Sequence, residues 1–201
     1  MRTVDSIEAL EALYARKPSG AALDKVTDRL TPAQAAWIEA SRFCVLSTVG
    51  PEGTDASPRG DDGPVVRIMD KRTLLMPDWR GNNRMDSLRN IVRDGRVSLM
   101  FLVIGATIVM RVNGRAVLSD DPDLTARFAH EDMHPRAVIV VSVSEAYPQC
   151  ARAVMRAGLW SRGDDSAGLP GIGEMLAEAR EGFDGADYDA QWPERAKTTM
   201  W

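Results

Sequence analysis

Two periods of apolar residues divide this chain. Up to residue 41 the apolar positions recur at helical intervals. Ile7, Leu10, Leu13 and Tyr14 line one face behind Asp5 as a cap, which predicts a helix over residues 5–16. Leu23, Val26 and Leu30 mark a second, shorter helical face. Thr31-Pro32-Ala33-Gln34 is a stronger start signal, with a capping Thr, Pro at the first helical position and Gln at the third. The helix it opens is expected to turn Ala36, Trp37 and Ala40 inward, and these helices to pack outside a β core.

From Phe43 the pattern becomes that of strands. Residues 43–49 read as a buried strand, 50–53 as a tight turn and 54–59 as a second strand, and Gly60-Asp61-Asp62-Gly63 turns the chain again. Residues 65–69 and 73–76 flank Asp70-Lys71-Arg72 as a hairpin. A short helix after Arg84 is expected to carry Leu88, Ile91 and Val92 on one face and to break at Asp94-Gly95. Strands 96–104 and 107–118 follow, parted by Gly105-Ala106. A helix starting at Asp121-Pro122 ends near His130, and 137–143, the most apolar strand, should be central. Tyr147-Pro148 leads into a helix through Cys150, Val154 and Leu159 to Trp160. Residues 161–171 form a linker rich in Gly, Asp, Ser and Pro. Beyond it lie one amphipathic helix (Ile172, Met175, Leu176, Ala179) and a polar tail ending at Trp201.

Short strands joined mostly by hairpin turns predict an antiparallel sheet closed into a barrel, mainly β with flanking helices (α+β). A length of 201 residues suits one domain. Its parts are N-terminal helices over 1–41, a barrel core over 42–160, and linker, helix and tail over 161–201. The 44% apolar and 27% charged fractions are ordinary for a globular chain. With a net charge of −4 and no basic tract, nucleic acid is not an expected partner. Apolar runs are strand-sized, so no membrane span is expected. The N-terminus mixes acids among its apolar residues and lacks a signal-peptide core, which places the chain in the cytoplasm. Cys44 and Cys150 lack metal-ligand spacing and read as buried free thiols.

Candidate chemistry concentrates in residues 55–90. Arg59 sits at the end of a strand, and Arg84 at a helix entrance behind Gly81-Asn82-Asn83. A helix start leaves unpaired N–H groups and partial positive charge, which favours an anion such as phosphate. The Gly-Asn turn gives the backbone room to approach it, and Arg84 adds a fork of donors. These residues predict a phosphate-bearing cofactor between a sheet and a helix N-terminus. Elsewhere, His130-Glu131-Asp132-Met133-His134 matches the H-E-x-x-H zinc-hydrolase pattern, which needs both imidazoles on one helix. Pro135 disfavours helix at the second ligand, so a polar loop is expected there and no metal. No side chain stands out as a general acid or base, so no catalytic residue is named.

In order and spacing, ASPRGD, a hairpin, LLMPDWRGNNRMDSLRNI, VSLMFLV, MRVNGRAVL and PRAVIVVSVSEAYPQCARAVMRAGLW resemble the pyridoxamine 5′-phosphate oxidase-like flavoproteins. More narrowly, they resemble the branch of FMN-dependent enzymes of unassigned substrate. The resemblance implies an antiparallel split β-barrel of FMN-binding type, forming a homodimer with FMN at the subunit interface. Residues 78–84, with Asn82, Asn83 and Arg84, would form the phosphate-binding turn, and Arg59 would reach the same phosphate. Ser57 and Pro58 would lie against the ring or ribityl chain, with Met76 and Pro77 along its other side. Arg111 opens the segment that matches the branch's RVNG, and Trp160 matches the Leu-Trp that caps the partner's site. Where that branch usually has Glu-Thr, this chain has Ile108-Val109, and the substrate-binding Arg and His of the vitamin B6 oxidases have no counterpart. The expected function is therefore FMN-dependent electron or hydride transfer to or from an unidentified small molecule. A non-catalytic flavin carrier or sensor is the alternative on the same fold, and a zinc hydrolase through residues 130–134 is the third reading. Related barrels accept deazaflavin or haem, so those cofactors stay open beside FMN.

Overall fold

Seven strands form one antiparallel sheet in the computed structural model, which describes residues 1–14, 18 and 20–200. They are β1 (Phe43–Gly50), β2 (Gly53–Gly60), β3 (Arg67–Asp70), β4 (Thr73–Asp78), β5 (Arg96–Leu102), β6 (Val109–Ser119) and β7 (Ala137–Gln149). Their order across the sheet is β2-β1-β5-β6-β7-β4-β3. Alternation sends one side of every strand inward. Leu46, Leu74, Leu99, Val112, Ile139 and Val141 are fully buried there with Phe101, so the sheet curls around packed side chains as a split barrel. A smaller cluster, Leu75, Phe128 and Val138, lies on the other face of β4 and β7. It sits under α5 (Pro122–Thr125) and a short 3-10 turn, Ala126–Phe128.

The curl depends on the two long strands. β6 and β7 pair over their whole lengths except for a bulge at Asn113/Gly114. There the backbones approach so closely that a Cβ on Gly114 would sit 2.0 Å from the Ser142 carbonyl oxygen. A bulge raises local twist, and glycine admits the neighbouring backbone. β7 continues through Tyr147-Pro148 because β6 remains its ladder partner, with Pro148 opposite Met110. The helix expected to start at that Pro is thus delayed to α6 (Arg152–Ala157), which ends on Gly158 in the left-handed region rather than at Trp160.

Helices flank this frame. In α3 (Pro32–Glu39) the Thr31/Gln34 capping box forms as expected. The inward face differs, with Gln34 and Ile38 buried, Trp37 half-buried, and Ala36 and Ala40 exposed. Gln34 fixes that rotation, because its amide oxygen accepts from Thr31 N at 2.9 Å while its nitrogen donates to the Ala146 carbonyl at 3.2 Å. α1 (Ile7–Leu13) is capped by Ser6 instead of Asp5 and buries none of its residues, so its apolar stripe does not reach the barrel. The predicted end of that helix and the tail residue Trp201 lie outside the described residues. α2 (Gly20–Asp24) precedes the Thr27–Ala146 bridge. In α4 (Asp86–Arg93) Ile91 is buried, but Val92 is 73% exposed, its inward place taken by Asn90. The stretch expected to be a polar tail forms α8 (Gly185–Ala190) and α9 (Trp192–Thr199), which follow α7 (Ile172–Ala179). α7 and α8 pack closely at Gly173 and Gly185, where a Cβ on either would lie within 2.3 Å of the other's carbonyl oxygen. No helix among the described residues is long and apolar enough to cross a membrane.

Gly114→Ala tests the β6–β7 crossing. Overpacking a tight site typically costs about 1–3 kcal/mol. We expect a loss of stability of that size in urea unfolding, and an unchanged midpoint would mean the strands have room to separate.

Candidate functional site

The split of the barrel lies where β2 and β4 approach from different parts of the sheet. On β2, Asp55, Ser57 and Arg59 are half-buried and alternate with exposed Ala56 and Pro58. The Arg59 guanidinium (Nη1) donates to Asp78 Oδ1 at the end of β4, at 2.7 Å, with the two side chains 18% and 20% exposed. One residue later, Trp79 Nε1 donates to Asp61 Oδ2 at 2.9 Å. These two contacts join the outermost strand of the sheet to β4.

Behind Arg59 in the same register is Cys44, fully buried. Burial pushes its thiol up to about 12, only partly offset by the nearby Arg59 charge, so it stays protonated and inert. Cys150, expected to be buried too, is exposed after the end of β7.

The loop from β4 to α4 turns on two non-glycine residues with positive φ, Asn83 at 59° and Met85 at 61°. Asn82 steadies it by accepting from Arg84 N at 3.1 Å. α4 starts behind Met85 with no side-chain cap, so its first N–H groups lack the usual acceptor. Ser87 donates to Asp55 and ties the first turn of α4 to β2. Arg84 lies two residues before the helix, 75% exposed, with Nε donating to Asp86 Oδ2 at 2.8 Å. That pairing offsets the acid in the first turn, which would otherwise repel an anion.

Between these walls opens a cleft of about 1400 Å³. Its lining comes from residues 55–62, Val65, 76–88, His130, Met133, His134, Arg136, Ala137 and Met200. Eight sequence-predicted residues meet here: Ser57, Pro58, Arg59, Met76, Pro77, Asn82, Asn83 and Arg84. Arg111 and Trp160 stand outside the cleft of their own chain. Arg111 packs over the Tyr147 ring at 5.4 Å on the outer face of the sheet. Trp160 Nε1 donates to the Ala106 carbonyl at 2.7 Å, against the β5–β6 turn.

Asp61, His130, Met133, His134 and Arg136 also line the cleft, and the sequence reading named none of them as site residues. The pairing of Asp78 with Ala137 brings the segment from His130 to Arg136 alongside the end of β4. The H-E-x-x-H match is a tight turn, not a helix. His130 and Met133 exchange backbone bonds at 3.0 and 2.9 Å, and Glu131 takes φ 53°. Among the described residues no group of three or more His, Cys, Asp or Glu could hold a metal ion.

The cleft fits an anionic group. Arg59 Nε is buried with no hydrogen-bond partner among the described residues, and the uncapped start of α4 opens into the same space. A phosphate at the start of α4 would satisfy its free N–H groups and lie beside the Arg59 guanidinium.

A family model described as pyridoxamine 5′-phosphate oxidase matches residues 30–150. No curated protein matches the chain in sequence. Among solved structures, HupZ of Group A Streptococcus is 16% identical, with a TM-score of 0.50 over 61% of this chain and 95% of that one. A candidate pyridoxamine 5′-phosphate oxidase of Lactobacillus delbrueckii is 21% identical, with a TM-score of 0.49 over 60% and 95%. An FMN-binding protein of Syntrophomonas wolfei is 11% identical, with a TM-score of 0.45 over 71% and 95%.

Asp78→Asn should destabilise the fold, because it leaves the Arg59 charge largely buried without its counter-ion. A buried donor stripped of its partner costs about 1–3 kcal/mol. Urea unfolding measures this, and a change within error would show that water replaces Asp78 without loss.

Proposed function

The chain belongs to the pyridoxamine 5′-phosphate oxidase family, and from that premise we propose that it is an FMN-binding flavoprotein. It serves as an oxidoreductase on a small molecule and works as a homodimer with FMN at the subunit interface. The observation that carries the reading is the uncapped start of α4 in a cleft that Arg59 also lines.

In this reading the first-turn N–H groups of α4, Arg59 and Arg84 hold the phosphate, and Asn82 and Asn83 shape the turn that delivers it. Ser57 and Pro58 take one side of the ribityl chain and ring, and Met76 and Pro77 the other. When bound, the flavin supplies hydride or electron transfer at its N5. The protein's part is to anchor, orient and exclude water. Met76 and Pro77 are both buried and present a dry wall for a flat ring.

Dimerisation is supported by the outer face of the sheet. Phe43, Met100, Ile104, Ile108, Leu159 and Trp160 are exposed apolar groups on β1, β5, the β5–β6 turn and the end of α6. Arg111 shares that face, directly across from Met100. A twofold partner covering it would bring Arg111 and Trp160 to the other subunit's cofactor and supply a second wall for each ring.

Flavin fluorescence titration tests the binding. Arg84→Ala should weaken FMN by about tenfold, the low end for a charge-assisted contact because Arg84 is exposed and shared with Asp86. A protein that takes up no FMN sinks the reading. In sizing runs over a dilution series, dissociation and flavin loss should occur together. A monomer retaining full FMN affinity would overturn the interface site.

A further inference from the structure

The inner face of α4 is fastened to the sheet by hydrogen bonds as much as by apolar packing. We propose that Thr48, Asp55, Ser87 and Asn90 form a polar clamp that aims the first-turn N–H groups of α4 and so sets the protein's selectivity for a phosphate. The inference rests on the flavin reading of the cleft and adds four positioning residues to it.

The clamp is a matched set. Thr48 and Asp55 stand directly opposite each other on β1 and β2, so their side chains leave the sheet on the same side. Ser87 and Asn90 are three residues apart on α4, which stacks them on one face of the helix. Ser87 donates to Asp55, and Asn90 Nδ2 donates to Thr48 Oγ1 at 3.1 Å. Two neighbouring strand positions therefore hold two neighbouring helix positions. One bond would leave a pivot, whereas two fix both the rotation of the helix and its position along its axis.

Burial makes the placement exacting. Thr48, Ser87 and Asn90 are each at most 9% exposed, and two of the three buried residues of α4 are polar. Buried polar pairs add little net stability over apolar groups of the same shape. What they add is direction, because a hydrogen bond tolerates only a narrow range of distance and angle. Gly50 is fitted to the same placement, since a Cβ there would lie 2.2 Å from Asn90 Oδ1.

The consequence falls on the cleft. Asp55 and Ser87 line it, while Thr48 and Asn90 stand outside its lining. The Asp55 bond uses the Ser87 hydroxyl, so a carboxylate holds the helix start without capping it. N–H donors lose strength steeply when misaligned, so a small rotation of α4 spoils their aim at a phosphate. The flavin ring, set between β2 and β4 in this reading, does not depend on that rotation.

Fluorescence titration of FMN and of riboflavin, which lacks the phosphate, tests the clamp. The wild type should favour FMN. Thr48→Val with Asn90→Leu removes both partners of the bond remote from the cleft. It should weaken FMN by about threefold to tenfold, as for a lost hydrogen bond, and leave riboflavin affinity unchanged. Ser87→Ala should do the same from the near side. FMN affinity unchanged in both variants overturns the proposal and leaves the flavin reading standing. A loss confined to Ser87→Ala also overturns it, because Ser87 would then touch the ligand itself. Parallel losses of FMN and riboflavin assign the four residues to stability alone, and a wild type that binds the two flavins equally holds no phosphate; either result sinks the clamp. A wild type that takes up neither flavin refutes the flavin reading, and the clamp falls with it.

Discussion

The Arg59–Asp78 ion pair is the contact on which the arrangement of the site turns. Its partners sit on β2 and β4, which have four strands between them in the sheet order yet come within 2.7 Å through side chains. No backbone ladder joins β2 to β4. The barrel is split there, and a side-chain bridge takes the place of strand pairing. A mostly buried pair of this kind adds little net stability, because desolvation consumes much of the Coulombic gain. It does fix position, since either charge left alone would be costly. The Trp79–Asp61 hydrogen bond reinforces the same junction one residue further along.

Leaving the barrel split has a chemical consequence. A closed barrel of this size is filled by its own side chains, and Leu46, Leu99, Phe101 and Val112 fill this one. A ligand must bind outside the packed interior. The split supplies a place where polar donors are held rigidly without being used up by a ladder. Arg59 is the clearest case, with one nitrogen committed to Asp78 and another buried without a partner among the described residues. α4 contributes in the same way, held to β2 by Ser87–Asp55 and to β1 by Asn90–Thr48 while its first turn stays open.

The two ends of the cleft differ in how they are built. The β2 and α4 end is assembled from contiguous sequence, a strand, a hairpin, a turn and a helix start. The β7 end is assembled by pairing across the sheet, and its residues come from the turn that precedes β7.

Much of this was determined by local sequence. Alternating apolar positions located the strands, Thr31-Pro32-Ala33-Gln34 started its helix where expected, and residues 76–84 carried their turn chemistry in the chain itself. Eight of ten candidate residues meet in one cleft because they are near neighbours along the chain or on adjoining elements. Tertiary structure decided the rest. Gln34 rather than Trp37 set the rotation of α3, because its partner is the Ala146 carbonyl more than a hundred residues away. β7 ran past Tyr147-Pro148 because β6 remained beside it, overriding the local proline signal. α8 formed where the composition looked like a tail, packed on α7 where two glycines allow close backbone contact. His130 to Arg136 joined the cleft only through the register of β4 on β7. Periodicity records which face of an element is apolar, but not which distant backbone will meet it, and that meeting is what built the second half of the site.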